Sequence, residues 1–417
     1  MQDDRVALPS PSGAAVVQKA EPSATHYPAV IAGFSGWLLD AFDFFLVTFC
    51  LTAIAADLHK TDAQISLIIT ATMLARPVGG LLFGFIADKY GRRVPLMINM
   101  GAYAVAGILT GLAPSYQSML LIRFLFGIVM GGTWGVGASL AMEGASSRHR
   151  GILSGLLQQG YSAGNVMAAL FYFFFFGHIG WRMLFILSSI PAIPLVLYLA
   201  FFVRESDVWK QVPKDELPVG AQARAILSHW KLFLYLLLFM TMMLFASHGT
   251  QDMYPTFLQR QWHMTPTHRS MITAISATGA FLGGIFFGYF SDLWGRRRAI
   301  VGAFVLGAAI IPLWAYAPNQ ALLILGAILM QFMVQGAWGV IPAHLAELSP
   351  NSVRALLPGF SYQCAGVIAS SVVYIEAVYA QRTSYATAMA LTAISVFVLA
   401  SIMALLGREK RGVEFSH

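Results

Sequence analysis

Apolar residues fill the chain in long blocks, each closed by a short polar stretch, from about residue 28 to residue 406. A block of about 20 apolar residues is long enough to cross the hydrocarbon core of a bilayer as an α-helix. The pattern predicts twelve spans, roughly 28–56, 63–87, 94–113, 116–141, 150–176, 182–203, 231–258, 268–290, 299–317, 320–345, 354–379 and 384–406. The polar stretch 204–230, with its Lys, Asp, Glu and Pro, divides them six and six. The expected organisation is a tail over 1–27, a six-helix bundle over 28–203, a linker over 204–230, a second bundle over 231–406 and a tail over 407–417.

The two halves repeat each other at an offset of 204 residues. Gly84-Phe-Ile-Ala-Asp88-Lys-Tyr-Gly91-Arg92-Arg93 reappears as Gly288-Tyr-Phe-Ser-Asp292-Leu-Trp-Gly295-Arg296-Arg297. The same offset aligns Trp134-Gly135-Val136 with Trp338-Gly339-Val340, Ala113-Pro114 with Ala317-Pro318, Glu143 with Glu347, Arg150 with Arg354 and Gln159 with Gln363. So long a period is no solenoid; it denotes two homologous halves.

Composition agrees: 57% of residues are hydrophobic and 11% charged, against about 25% charged in an ordinary soluble domain. Mean hydropathy is +0.67. The net charge of +7 invites a nucleic-acid reading, but its distribution decides otherwise. With both ends cytoplasmic, that side holds 19 Lys and Arg. The opposite side holds Lys60, Arg182, Arg260, Arg269 and Arg382, while Arg76 and Arg123 lie inside spans. This is the positive-inside bias of a multi-pass protein, with basic runs anchored on lipid headgroups. No nucleic-acid partner is expected. Cys50 and Cys364 lie in apolar spans and read as buried hydrophobes; no disulfide framework or zinc spacing occurs. Residues 1–27 lack the apolar core of a signal peptide. The run Gly127, Gly131, Gly132, Gly135, Gly137 has no preceding strand and reads as helix packing, not a nucleotide loop. Neither a Walker-type loop nor a catalytic constellation is visible, so no enzyme activity and no cofactor is expected.

The repeated basic signature sits between spans 2 and 3 and between spans 8 and 9. Gly84 and Gly288 permit close helix approach, and Gly91 and Gly295 permit the turn. Asp88, Arg92, Asp292 and Arg296, with Glu143 and Glu347, can pair across helix ends and latch one conformation. The duplicated loop, the six-plus-six layout and the central linker resemble the major facilitator superfamily over about residues 28–406. The resemblance implies an all-α membrane protein of twelve transmembrane helices in two pseudo-symmetric six-helix bundles. These would rock about a site at mid-membrane. It further implies a multi-pass protein of the cell (inner) membrane acting as a monomer.

Ionisable groups inside spans are costly and mark function. Span 1 carries Asp40 and Asp43, three apart and so on one helix face. Span 2 carries Arg76 and span 4 carries Arg123, a guanidinium alone in an apolar run whose fork suits a substrate carboxylate. For Arg76, a structural pair with Asp40 or Asp43 and a substrate role stay open. Span 7 carries the densest polar run, Ser247-His248-Gly249-Thr250-Gln251-Asp252, followed by Pro255. His248 and Asp252 stack four apart, and Pro255 deprives the Gln251 carbonyl of its donor, so the helix should kink there. The offset equates Asp43 with Ser247, so both ionisable pairs should face one central cavity. Gln159, Gln251 and Gln363 are further polar candidates for the substrate. Glu376 lies close to a span end and reads as interfacial.

The run Ser247-His248-x-Thr250-Gln251-Asp252-x-x-Pro255-Thr256 is similar to the signature of the lactate/pyruvate permeases, which sit with bacterial sialic-acid transporters in the sialate:proton symporter family. Asp40-Ala-Phe-Asp43-Phe-Phe points the same way, while Leu244 stands where the motif begins with Asn. The linker is too short for the two extra spans of typical sialate transporters. The resemblance therefore implies proton-coupled uptake of a small monocarboxylate, with Asp40, Asp43, His248 and Asp252 as proton-coupling groups. A sialic or aromatic acid remains an alternative substrate, and a proton-coupled exporter remains an alternative direction.

Overall fold

The structure, a computed structural model, describes residues 25–211 and 227–415. Most of the N-terminal tail and of the linker therefore lies outside the described residues. Regular structure among the described residues is entirely helical. Spans 1 to 4 are Tyr27–Asp57, Asp62–Tyr90, Arg93–Leu112 and Tyr116–Glu143. Spans 7 to 12 are Trp230–Arg260, Pro266–Trp294, Arg296–Ala315, Gln320–Leu348, Leu356–Arg382 and Tyr385–Leu406. Between them lies one helical stretch, Arg150–Phe201, in place of the two expected. At 52 residues it is about twice the length a bilayer needs. Gly180 breaks it with φ +69°, in the region that only glycine enters freely. Before that turn Gly164 packs against Leu38 and Ala41 of span 1; after it Ser189 packs against Gly107 of span 3. Two antiparallel crossings result, spans 5 and 6, and the total among the described residues is twelve.

Polar caps start several spans. Thr61 and Ser115 accept backbone N–H bonds at the starts of spans 2 and 4, and Thr265 and Asn319 do so for spans 8 and 10. Each supplies a partner to one of the orphan donors at a helix start. These caps obey the 204-residue offset, so the repeat extends to helix initiation. The glycine run of span 4 packs as read: a Cβ on Gly127 or Gly131 would strike the carbonyls of Thr72 and Arg76 in span 2.

The halves meet on the face that bears both termini. Gly84 lies against Leu356 of span 11, where an added Cβ would come within 2.8 Å of its Cα. Gly288 lies against Gly151 of span 5, where a Cβ would come within 2.6 Å of the carbonyl oxygen. Toward the opposite face spans 5 and 8 diverge. An apolar groove of about 540 Å³ separates them there, lined by Val166, Leu170 and Phe174 on one side and Ala277 and Phe281 on the other. The molecule is thus closed on the terminus-bearing face.

Candidate functional site

The closure is built from the repeated signature. Asp88, at the end of span 2, accepts backbone N–H bonds from Ala355 (3.2 Å) and Leu356 (3.1 Å) at the start of span 11. Asp292, at the end of span 8, accepts from Gly151 (2.8 Å) and Ile152 (3.0 Å) at the start of span 5. Each carboxylate thus caps a helix of the other half and meets its positive end. Arg92 pairs with Asp88 at 2.8 Å and Glu143 at 3.0 Å; Arg296 pairs with Asp292 at 2.7 Å and Glu347 at 2.8 Å. Arg150 reaches Glu347 across the halves at 3.3 Å, and Arg354 reaches Glu143 at 3.8 Å. Gly91 and Gly295 turn with φ +101° and +102°.

Two members of this assembly escaped the sequence reading. Glu205 accepts from the backbone N–H groups of Arg92 (2.8 Å) and Arg93 (3.1 Å), and Glu409 accepts from those of Arg296 (3.1 Å) and Arg297 (3.0 Å). The signal was available, because Arg204-Glu205 and Arg408-Glu409 obey the same offset.

The intramembrane arginines each hold an aspartate. Arg123 grips Asp43 bidentately, with Nη1–Oδ1 at 3.1 Å and Nη2–Oδ2 at 2.6 Å, and lies 4.2 Å over the Phe126 ring. It is therefore no lone guanidinium, and its fork is occupied. Arg76 pairs with Asp40 through Nη2 alone, while its Nε has no partner. The Arg76 side chain keeps 11% exposure against 3% for Arg123. Asp40 and Asp43 are each 1% exposed, so the expectation that they face an open cavity is corrected. The guanidinium charges draw both carboxylates inward between spans 1, 2 and 4.

The polar end of span 7 is partly exposed. The helix breaks between Trp230–Gln251 and Tyr254–Arg260, at the place Pro255 requires. His248 Nδ1 and Asp252 Oδ2 are 3.0 Å apart, with side chains 37% and 39% exposed. Asp252, Arg76 and Asp40 all lie in electrostatic range of Tyr161. Tyr161 belongs to the first half, so the His248–Asp252 pair borders a cleft between the halves. Gln251 donates to Ser247 Oγ (3.2 Å) and Gln331 Oε1 (2.8 Å), and Gln335 donates to Ser247 Oγ (3.1 Å). Gln331 and Gln335 were missed. They align with Gly127 and Gly131, so the repeat could not mark them, although two amides one turn apart in an apolar span were a signal.

An aromatic layer closes the cleft. Trp37 stacks on Tyr161 at 5.6 Å, Trp134 stacks on Tyr362 at 4.6 Å, and Trp37 meets Tyr362 edge-on at 6.0 Å. Gln159 and Gln363 lie elsewhere. Gln363 donates to the Gly131 carbonyl at 2.9 Å, and Gln159 presses on Gly284, so both sit in contacts between halves. Glu376, expected at the interface with lipid headgroups, is fully buried.

Comparison with known proteins agrees with this architecture. The chain is 29% identical to the carboxylic acid transporter protein homolog of Saccharomyces cerevisiae, over 91% of this chain and 67% of that protein. It is 29% identical to the sialic acid transporter NanX of Escherichia coli, over 80% of this chain and 82% of that one. In fold it resembles the proton:xylose symporter XylE with a TM-score of 0.75 at 15% identity, covering 94% of this chain and 98% of that chain. The family model described as Major Facilitator Superfamily matches residues 33–252 and 252–416. With twelve spans, a duplicated latch and a cleft between the halves, the chain belongs to the Major Facilitator Superfamily and is a membrane transporter, not an enzyme.

Proposed function

We propose that this transporter takes up a small monocarboxylate of the lactate/pyruvate class together with a proton, by alternating access, with both termini cytoplasmic in the inner membrane. The observation that carries the reading is Arg76. It is a buried cation with one nitrogen committed to Asp40 and its Nε free, within range of Tyr161 and Tyr362. A carboxylate is the ligand that a partly free guanidinium binds best. Arg76 displaces Arg123 as the proposed anion contact, because Arg123 is saturated by Asp43.

His248 and Gln251 supply polar contacts for the rest of the substrate. With Nδ1–H donated to Asp252, the His248 Nε2 accepts from a hydroxyl when neutral and donates to a carboxylate when charged. Asp40, Asp43 and the His248–Asp252 pair are the proposed proton-coupling groups. A substrate anion on Arg76 competes with Asp40 for the cation, which favours protonation of the buried acids, so anion and proton help each other bind. Gln159 and Gln363, Asp88 and Asp292 then serve the closing and opening of the halves. The relatives named for carboxylic and sialic acids support an acid as cargo.

The test is uptake into proteoliposomes of lactate, pyruvate, benzoate and sialate under an imposed proton gradient. Lactate or pyruvate uptake should rise on external acidification and collapse with a protonophore. Equal uptake without a pH gradient, and no proton movement with substrate, would show a uniporter. A preference for benzoate or sialate would instead favour the larger-acid reading, for which the Tyr161 and Tyr362 rings offer a stacking surface.

A further inference from the structure

Among the described residues, Asp40, Asp43, Asp88, Glu347 and Glu376 are buried acids. Four of them hold an arginine. Glu376 holds none, and only the Thr392 hydroxyl comes near its carboxylate as a donor. It stands on the helix Val372–Arg382, just past a break in span 11 at Ser370 and Ser371. Its Oε1 presses on the bare backbone of Gly249 in span 7, where an added Cβ would come within 3.3 Å. The methyl groups of Thr392 in span 12 and Val372 enclose the same point, at 3.2 and 3.5 Å.

The groups that face Glu376 are few. From span 7 comes Asp252, of like sign, which is itself joined to His248; from span 12 comes the neutral Thr392. No cation acts on it. A carboxylate enclosed without a cation, and with at most the one hydroxyl of Thr392 as donor, recovers little of its lost hydration, so the enclosed state favours the neutral acid. Asp252, three residues beyond Gly249 on span 7, is 39% exposed. Water in the cleft can therefore reach Asp252 and His248 but not Glu376.

We infer that Glu376 carries the transported proton: it is loaded from the cleft through the His248–Asp252 pair and unloaded when span 7 moves past the broken segment of span 11. The step is a proton transfer alone, from water by way of Asp252 to the Glu376 carboxylate and back to water on the other side. Gly249 is the gap that lets the carboxyl sit against span 7, and the helix breaks at Asp252 and Ser370 are where the two spans can shift. This inference rests on the proposed proton symport and names its carrier.

The experiment compares the parent with Glu376→Gln and Glu376→Asp in proteoliposomes. The probe is lactate, or whichever of pyruvate, benzoate and sialate the parent takes up fastest. Glu376→Gln mimics the loaded acid. It should keep counterflow exchange within about twofold, yet lose gradient-driven accumulation and the proton entry that accompanies the substrate. Glu376→Asp should retain both in part. The melting temperature of Glu376→Gln should match or exceed the parent's, which separates a carrier from a packing residue. A Gln variant that accumulates substrate and moves protons like a coupled parent overturns the role of Glu376 alone. A parent that moves substrate with no protons overturns the symport reading and this inference with it.

Discussion

The two arginines inside spans differ in what their forks have left to offer. Asp43 takes both terminal nitrogens of Arg123, whereas Asp40 takes one of Arg76. Removing one partner of a buried pair strands a charge, at a cost of about 3–5 kcal/mol. Arg123→Ala should therefore lower the thermal stability of the purified protein sharply, and Arg123→Ala with Asp43→Ala should recover much of it. Additive losses in the double variant would show that the pair is not coupled. Arg76→Lys keeps the charge but not the fork. A charge-assisted hydrogen bond contributes about 1.5–3 kcal/mol, so substrate affinity should fall roughly ten- to a hundredfold with stability little changed. Unaltered affinity would place the anion elsewhere. The four ionisable groups were legible in the sequence because charge inside a span is rare. Their pairing was not, since Arg123 and Asp43 are 80 residues apart and nothing local says which helix faces turn together.

At the scale of the helix, span 7 is apolar from Leu232 to Ala246, Thr241 apart, and polar from Ser247. Its kink was legible because Pro255 removes a particular N–H. The partner face was not, because Gln331 and Gln335 lie in span 10 at positions whose repeats are glycines. Together the amides hold Gln251 and Ser247 in place beside His248. Gln331→Leu leaves the Gln251 amide without its 2.8 Å acceptor. An unsatisfied buried donor costs about 1–3 kcal/mol. Substrate binding should weaken by roughly five- to a hundredfold, while Gln331→Glu, which restores an acceptor, should recover part of the loss. Equal binding by the Leu variant and the parent would remove span 10 from the site. The repeat was the more reliable guide on the terminus-bearing face, where each half must cap a helix of the other. It failed in the cleft, where aligned positions of the two halves carry different residues.

Across the whole molecule, closure of the terminus-bearing face depends on a segment outside the repeat. Phe415 is 5% exposed and sits with its ring 3.7 Å from the Arg150 guanidinium and 3.8 Å from that of Arg354. Arg150 opens span 5 in one half and Arg354 precedes span 11 in the other, so the ring is wedged between the two bundles. Arg150 also donates to the Val413 carbonyl at 2.9 Å, and Ser147 donates to Glu414 at 2.5 Å. Ala138 and Ala346, one from each half, join the same apolar cluster. Opening this face must pull at least one arginine from the ring. Each cation–π contact contributes about 1 kcal/mol, so losing one or both on opening biases the closed state roughly five- to thirtyfold. Truncation after Arg411 should therefore raise the alkylation rate of a cysteine placed at Ala346, in a background without Cys50 and Cys364, by about five- to thirtyfold. Phe415→Ala should give most of that rise, and Phe415→Trp should give none, because a larger ring keeps the stacking. The Asp88 and Asp292 caps remain in the truncated protein, so the face should still close, only less often. An alkylation rate unchanged by truncation would mean that the capping aspartates and the arginine pairs hold the face shut without the tail.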